Sequence, residues 1–294
     1  MKLVTYNIQY SKGKDGRYDL ERIAEALYGA DVIALQEVER HWPRTGMADQ
    51  PADLATLMPG YYWAYGSGFD MDTSEVGADG VVINRRRQFG NMLLSRWPLT
   101  WSRLYILPKL NCVDEFNMDM PALEAVIDVP GGPLRTWSIH LSSVSCRERM
   151  MQIDYLLGLH DHAADTGGAW TGAPVVRGDP SWSGGAPPPA MPHEAIWMGD
   201  FNAEPDGPEY DAIVGPKDPN YGRGLYADRF VDAWVSAGND DDDCVTFQAD
   251  ENYTDRRLDY CFVSAALSPR IRSAWVDRDA GGSDHQPLWV DMDL

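Results

Sequence analysis

Short apolar segments rich in β-forming residues recur along this chain from its first residues to its last. Apolar runs of about four to eight residues, bounded by polar or turn residues, are typical of buried strands. Only a few helical segments lie between them, so the sequence predicts a mixed α/β fold in which helices cover the faces of sheets. The clearest predicted strands are residues 3–8, 31–35, 91–94, 123–129, 134–140, 195–199, 257–263 and 288–290.

Four helices are predicted from their caps and from the spacing of their apolar residues. Asp19 is a good N-cap for the first helix, because its side-chain oxygen can accept hydrogen bonds from the first turn. The second helix begins at Pro51, since proline is favoured in the first turn. Ser143 or Ser145 caps the third helix, and residues 208–214 form the fourth.

Two stretches are predicted to lack long regular elements. Residues 61–89 mix aromatic residues, glycines and acids, which indicates strand pieces joined by exposed loops. Residues 165–194 are dominated by Gly and Pro, a composition that favours a long surface loop. Because the chemical motifs described below lie on both sides of this Gly/Pro-rich stretch, we interpret it as an insertion within a single domain, residues 1–294.

The charge of the chain limits its partners. The 45 Asp and Glu residues against 25 Lys and Arg give a formal net charge of −20. This excess disfavours binding of nucleic acid through a broad basic surface, although it does not exclude nucleic acid as a substrate. No segment approaches the roughly 20 apolar residues of a membrane span, and no signal peptide is visible, so we expect a cytoplasmic protein. The four scattered cysteines are expected to be free thiols.

Polar residues repeatedly follow or end the predicted strands, and this pattern points to a function. Each of them alone has an ordinary explanation, such as a solvated strand end or a turn residue. Together they predict one cluster at an edge of the sheets, where binding and catalytic residues gather on a rigid scaffold. The candidate residues are Asn7, Glu37, His140, Asp200, Asn202, Asp259, Asp284 and His285.

The chemistry of this set favours a divalent cation and a phosphate. Carboxylate and amide oxygens without a thiolate select Mg²⁺ or Mn²⁺ over Zn²⁺. Such a cation keeps several waters and usually meets its substrate through phosphate oxygens. A histidine beside a buried aspartate supplies an oriented acid, base or positive charge. The set therefore suits attack of water on phosphorus, where positioning and charge neutralisation supply most of the rate.

The order and spacing of six motifs resemble the endonuclease/exonuclease/phosphatase superfamily. The motifs are Thr5-Tyr6-Asn7, Leu35-Gln36-Glu37-Val38, Ile139-His140-Leu141, Gly199-Asp200-Phe201-Asn202, Arg257-Leu258-Asp259-Tyr260 and Ser283-Asp284-His285. They run from the first predicted strand to the last and so cover essentially the whole chain apart from the Gly/Pro-rich stretch. The resemblance implies a four-layer α/β/β/α sandwich of two mixed β-sheets, with the active site in a cleft at one edge of the sheets.

The resemblance also implies a metal site that holds Mg²⁺ or Mn²⁺. By motif position, Glu37 is the principal metal ligand, and Asn7 and Asp284 lie in or beside the metal shell. Many relatives have an acid two residues after the first asparagine, whereas this chain has Gln9. That departure leaves open whether one or two metal ions bind.

The remaining motif residues take catalytic roles by the same resemblance. Asp200 orients or deprotonates the attacking water, and Asn202 holds the scissile phosphate. His285, oriented by Asp259, contacts a non-bridging phosphate oxygen or serves as a base. His140 stabilises the transition state or protonates the leaving oxygen.

The residue at the His140 position separates branches of the superfamily. The abasic-site endonuclease branch has Tyr-x-x-Asn there, whereas this chain has Trp137-x-x-His140. The sequence therefore favours the branches with a histidine pair, such as sphingomyelinases, pancreatic-type deoxyribonucleases and assorted phosphodiesterases and phosphatases. We predict a metal-dependent phosphoesterase acting on a compact phosphoester. The alternatives are a nuclease and a non-catalytic binding protein on the same fold, and the sequence predicts no oligomeric state.

Overall fold

Two six-stranded sheets form the centre of the fold. A computed structural model describes residues 1–172, 182–240, 244–248 and 254–293. From edge to edge, the first sheet contains β15 (Ile271–Val276), β16 (Leu288–Met292), β1 (Lys2–Asn7), β2 (Val32–Arg40), β6 (Arg86–Ser95) and β3 (Tyr62–Asp72). The second contains β13 (Phe230–Asp232), β14 (Asp259–Ser264), β10 (Ala195–Asp200), β9 (Gly132–His140), β8 (Pro121–Val129) and β7 (Leu99–Ile106). Two small hairpins pair β4 (Glu75–Val76) with β5 (Val82–Ile83) and β11 (Lys217–Asp218) with β12 (Gly222–Arg223).

The two sheets share the same arrangement of strands near their centres. In the first sheet, β1 pairs in parallel with β2 and antiparallel with β16. In the second, β10 pairs in parallel with β9 and antiparallel with β14. Both sheets are therefore mixed, as the sequence predicts, and each brings the end of its central parallel strand, β1 or β10, beside the start of an antiparallel one.

Alternating side chains of the central strands divide the core into three apolar layers. In β1, Leu3 packs between the sheets and its neighbour Val4 packs on the opposite face of the first sheet. In β10, Ile196 packs between the sheets and Trp197 lies on the outer face of the second. Both faces of these strands are buried, which explains why their sequences are continuously apolar.

Helices cover the two outer faces of the sheets. On the first sheet lie α1 (Leu20–Ala26) and α2 (Gln50–Leu57), and on the second lie α3 (Cys146–Asp161) and α5 (Pro208–Val214). The remaining α-helices of the described chain are the single turns α4 (Ala163–Thr166) and α6 (Ala233–Ser236), and 3₁₀ helices span Gln9–Ser11, Pro43–Thr45 and Ala265–Arg270. The order helix, sheet, sheet, helix confirms the predicted four-layer α/β/β/α sandwich.

The helix starts agree with the predicted caps. Asp19 accepts hydrogen bonds from the backbone N–H groups of Glu21 and Arg22, which belong to the first turn of α1. For α3, the cap is the second of the two candidate serines, Ser145, which accepts from the N–H of Glu148. Pro51 lies in the first turn of α2, as expected.

Several predicted strand boundaries are wrong. Strand β2 does not stop at residue 35 but continues to Arg40, and β14 begins at Asp259 rather than at residue 257. Residues 62–72 form one long strand, β3, instead of short pieces, and β7 was not predicted. Both β3 and β7 are edge strands with many half-exposed or exposed side chains, so their sequences lack the continuous apolar runs of the central strands.

The Gly/Pro-rich stretch 165–194 begins inside the single turn α4. Residues 173–181 of this predicted insertion lie outside the described part of the chain. The described residues 167–172 and 182–194 contain no strand. Among the helices of the described chain, none combines the length and apolar character needed to cross a membrane.

Candidate active site

The eight candidate residues meet at one edge of the sandwich. Asn7, His140 and Asp200 are the last residues of β1, β9 and β10, and Asp259 is the first residue of β14. Since β14 runs antiparallel to β10, its start lies beside the end of β10. Six of the eight residues line a cleft of about 330 Å³, and Asn7 and Asp259 are buried behind them.

A β-bulge places Glu37 in the cleft. The register between β2 and β6 shifts between Leu35 and Val38, so Gln36 and Glu37 lie in the irregular part of β2. Glu37 therefore lies within strand β2. The sequence had suggested that it follows the end of this strand, and that prediction is wrong. Its φ of +59° is uncommon for a residue other than glycine. Such strained positions persist where the surrounding structure holds them and are concentrated at functional sites.

The amide of Asn7 connects the two sheets. Its Nδ2 donates to Glu37 Oε1 at 3.1 Å in the first sheet and to Asp200 Oδ2 at 2.9 Å in the second. The backbone N–H of Gln9 donates to Asn7 Oδ1 at 3.0 Å and so fixes the direction of this amide. Asn7 is 1% exposed, and its hydrogen bonds hold the half-buried carboxylate of Glu37 close to the buried carboxylate of Asp200.

Asp200 lies between the two histidines. Its Oδ2 is 3.5 Å from His140 Nε2 and 3.8 Å from His285 Nε2, and its Oδ1 accepts from the N–H of Asn202 at 2.9 Å. Burial raises the pKa of Asp200 to about 6, although the charge of His285 and the amide of Asn7 oppose this shift. Burial also lowers the pKa of His140 to about 4, which leaves its ring neutral at pH 7.

Asp259 orients His285 and keeps it protonated. The Oδ2 atom of Asp259 lies 2.7 Å from His285 Nδ1, and the hydroxyl of Thr246 accepts the backbone N–H of Asp259 at 3.0 Å. Burial alone would lower the pKa of His285. The negative charges of Asp259, Asp200 and Asp284 outweigh burial and raise this pKa to about 10. At pH 7, His285 is therefore a cation with its Nε2 directed towards Asp200.

Gln9 contacts the residue that precedes His285. Its Nε2 donates to Asp284 Oδ2 at 2.6 Å. Many relatives have an acid at the position of Gln9, whereas in this chain the side chain is an amide that donates to a carboxylate. The hydroxyl of Ser283 donates to the backbone oxygen of Asn7 at 2.8 Å and accepts the N–H of His285 at 3.1 Å. These bonds fix the Ser-Asp-His motif against the end of β1.

Two sets of residues in the cleft have the chemistry of metal ligands. The predicted set is Glu37, Asn7 and Asp284. A more compact group consists of Asp200, Asp259 and His285, which each offer one ligand atom within 4.8 Å of the others. This second group is compact largely because Asp259 and His285 are hydrogen-bonded to each other.

The half-buried carboxylate of Glu37 at the cleft wall fits a cation. Burial raises its pKa, because the charged form is costly away from water, while His140 and Asn7 oppose the shift. Its one described hydrogen-bond partner is the neutral amide of Asn7. A divalent ion in this position would offset the cost of the charge, and the oxygens of Glu37, Asn7 and Asp284 are the donors that Mg²⁺ and Mn²⁺ prefer.

Sequence reasoning missed several residues of the cleft wall. Loops bring Tyr10, Phe116, Asn117, Phe247 and Arg256 to the cleft. The signal for Arg256 was its position directly before the motif Arg257-Leu258-Asp259-Tyr260. The other residues carry no recognisable pattern, because they reach the cleft only through the folding of their loops.

The sequence of the chain matches a known protein family over most of its length. A model of the endonuclease/exonuclease/phosphatase family matches residues 4–285, a range that includes all eight candidate residues. Among curated proteins, none matches the chain.

Solved structures of low sequence identity share the fold over the full length of the chain. An endonuclease/exonuclease/phosphatase family protein from Leptotrichia buccalis C-1013-b superposes with a TM-score of 0.63 at 17% identity, covering 100% of both chains. A mannosyl-6-phosphatase from Bacteroides thetaiotaomicron VPI-5482 gives 0.59 at 16%, again covering 100% of both. A 3′ phosphatase from Neisseria, bound to a product DNA hairpin, gives 0.59 at 15% and the same coverage.

Proposed function

The chain belongs to the endonuclease/exonuclease/phosphatase family, and from this premise we propose that it is an Mg²⁺- or Mn²⁺-dependent phosphoesterase. Members of this family are hydrolases that act on phosphoesters. The proposed reaction is in-line attack of an activated water on the phosphorus of a small or compact phosphoester.

The observation that carries the proposal is the surroundings of Asp200 Oδ2. A buried amide, a neutral imidazole and a protonated imidazole approach this one oxygen from Asn7, His140 and His285. A carboxylate with a pKa near 6 is ionised at pH 7 and still basic enough to accept a proton from water. This combination suits a group that activates water beside a phosphate held by positive charge.

We assign the metal to Glu37 with Asn7 and Asp284 rather than to the compact group around His285. Metal binding by that compact group would break the 2.7 Å contact that orients His285. When bound, the cation would neutralise charge on the phosphate and on the developing leaving group.

The charge states of the histidines distinguish between the roles open to them. His285 is protonated at pH 7, which favours contact with a non-bridging phosphate oxygen over service as a base. His140 is neutral, which favours hydrogen bonding to the developing charge over proton donation. Asn202, whose Nδ2 donates to the backbone oxygen of Leu141 at 3.0 Å, is held at the cleft wall to contact the scissile phosphate.

Hydrolysis of a substrate panel, with and without EDTA, tests the proposal. The panel contains plasmid DNA, RNA, sphingomyelin, nitrophenyl phosphate and bis(nitrophenyl) phosphate. We expect metal-dependent release from a compact phosphoester, lost in EDTA and restored by Mg²⁺ or Mn²⁺. Glu37→Ala and His285→Ala should each lower it by about 100-fold or more. If neither variant does so, the assignment fails.

The same panel separates the alternatives. Rapid nicking of plasmid DNA would favour a nuclease, which the net charge of −20 disfavours because it weakens long-range attraction of polyanions. Absence of hydrolysis from every substrate would favour a non-catalytic binding protein. A binding protein has no need to bring all eight polar residues together at one edge of the sandwich.

A further inference from the structure

One Arg side chain and no Lys side chain line the cleft in the described part of the protein. Arg256 is the one Arg or Lys among the lining residues, in a site that contains several carboxylates. Its guanidinium carbon lies 5.2 Å from the centre of the Phe247 ring, and that ring lies edge-on to His285 with 5.1 Å between centroids. Arg256 and the catalytic histidine therefore pack against the same aromatic ring.

The polar part of Arg256 is not used within the described protein. Its Nε is buried without an acceptor, and no described carboxylate forms an ion pair with it. The next residue, Arg257, has an anionic partner within the protein: it is buried in the core, and its Nη2 donates to both oxygens of Asp232 at 2.8 and 2.6 Å. A guanidinium at the cleft wall with no carboxylate partner in the described protein is available to pair with an anionic group of a ligand.

The backbone holds Arg256 in a fixed position relative to the site. Arg256 and Phe247 exchange two backbone hydrogen bonds, of 3.0 and 2.9 Å. The next residue of the same segment, Gln248, donates its N–H to the backbone oxygen of Asp284 at 2.9 Å. Arg256 is thus connected to the Asp284-His285 motif by short backbone bridges rather than by a long independent loop, and a ligand group bound there has a defined distance from His285.

We propose that Arg256 forms a second anion-binding subsite of the cleft, which binds a non-reacting phosphate or carboxylate of the substrate. This inference rests on the proposed function, because it assumes that the scissile phosphate lies between Asp200 and His285. The Phe247 ring packs against both His285 and the guanidinium, and we place the group that Arg256 binds beside the scissile phosphate rather than at it. The favoured substrates are compact phosphoesters that carry a second anionic group.

Arg256 is suited to this role by its chemistry. A guanidinium presents planar paired donors that match phosphate and carboxylate oxygens, and stacking on Phe247 limits the motion that binding must arrest. In a chain with a net charge of −20, general attraction cannot concentrate anionic substrates, so recognition has to come from a local group.

Equilibrium binding of non-hydrolysable phosphonates tests the subsite without turnover. The probes are pentylphosphonate, the bisphosphonate of the same chain length and the matching phosphonocarboxylate, titrated calorimetrically in Mg²⁺. In the wild type, the second anion should tighten binding by about 10-fold, the effect of one charge-assisted contact. Comparison of the two probes that carry a second anionic group shows whether a phosphonate or a carboxylate is preferred there.

Three variants locate this gain. Arg256→Met keeps the apolar stem of the side chain. It should abolish the tighter binding of the two probes with a second anionic group, whereas Arg256→Lys should retain part of it. Arg229→Met is the matched control: it removes one positive charge beside β13, where Arg229 pairs with Asp161 away from the cleft, and should leave the advantage unchanged.

Two outcomes would overturn the subsite: an equal gain in Arg256→Met, or no gain in the wild type. Both can occur while metal-dependent hydrolysis is normal, in which case the proposed function stands and the subsite fails. Conversely, a gain that depends on Arg256 in a protein that hydrolyses nothing supports the subsite and refutes the proposed reaction.

Discussion

Replacing Asp259 by Asn removes the negative charge beside His285 with little change in side-chain shape. Asp259 is fully buried and His285 is 6% exposed, so water screens this pair very little. Their contact of 2.7 Å joins a carboxylate oxygen to a ring nitrogen whose proton the carboxylate stabilises. The substitution should therefore convert His285 from a cation to a neutral ring at pH 7.

The size of the effect follows from Coulomb's law. Two unit charges about 4 Å apart attract by about 4 kcal/mol at an effective dielectric constant near 20, which corresponds to about three pKa units. With that attraction removed, the pKa of His285 should fall from about 10 to about 7 or below, because burial then opposes only Asp200 and Asp284. Hydrolysis at pH 7 should fall by about 100-fold, in the range for loss of one charged donor that stabilises the transition state.

The same shift has a consequence for stability. A histidine whose pKa is raised by folding stabilises the native state fully below its unfolded value of about 6.5, and this contribution disappears as the pH rises towards 10. The wild-type free energy of unfolding should therefore decline between pH 6.5 and 10. The Asp259→Asn variant should lack most of that decline.

Proton NMR of the histidine rings, in EDTA-treated protein, measures the titration directly. Each of the six histidines is assigned by its own substitution, and His160 is the internal control because its pKa depends on burial at a different place. A His285 midpoint that stays above about 9 in Asp259→Asn would refute the reasoning, since it would mean that other groups hold the proton.

Three further predictions concern stability, measured by urea denaturation. Gly199→Ala should lower the free energy of unfolding by about 3 kcal/mol or more, because the added Cβ would lie 1.8 Å from the backbone oxygen of Ile139. In the control Gly132→Ala the added Cβ meets nothing within 4 Å, so this variant should cost only about 1 kcal/mol for its positive φ. Equal costs would contradict the steric argument. Burial lowers the pKa of His160 to about 4, so the wild type should lose stability as the pH falls from about 6.5 to 4, and His160→Phe should flatten that profile; an unchanged slope in the variant would count against this assignment. Asp19→Ala removes the N-cap of α1 and should cost about 1 kcal/mol; no change would show that other groups satisfy the first turn.

The central strands and the clustering of the candidate residues could be predicted because burial and chemistry leave a local trace. The run 32–35 is apolar because β2 is covered on both faces. Asp200 and His140 end β10 and β9 in adjacent register, as expected for polar residues that end parallel strands. The motif order then gave the fold, which the family model and the two sheets confirm.

What could not be predicted depends on contacts that are distant in sequence. The bulge at Glu37 arises from pairing with β6, and nothing in the sequence Leu35-Gln36-Glu37-Val38 indicates a positive φ. Edge strand β7 alternates exposed and half-buried side chains, a weaker pattern than a central strand. The wall of the cleft is formed by loops whose positions depend on the completed fold.

The amide of Asn7 makes catalysis sensitive to how the two sheets are aligned. Its two hydrogen bonds span from one sheet to the other, so a core change that slides the sheets by a fraction of their spacing would separate Asp200 from Glu37 while the chain stayed folded. A displacement of about 1 Å at a reacting group can cost about 100-fold in rate. Met198 lies in the apolar layer between the sheets. Substitutions there, such as Met198→Leu, are therefore expected to change the turnover rate while the chain stays folded.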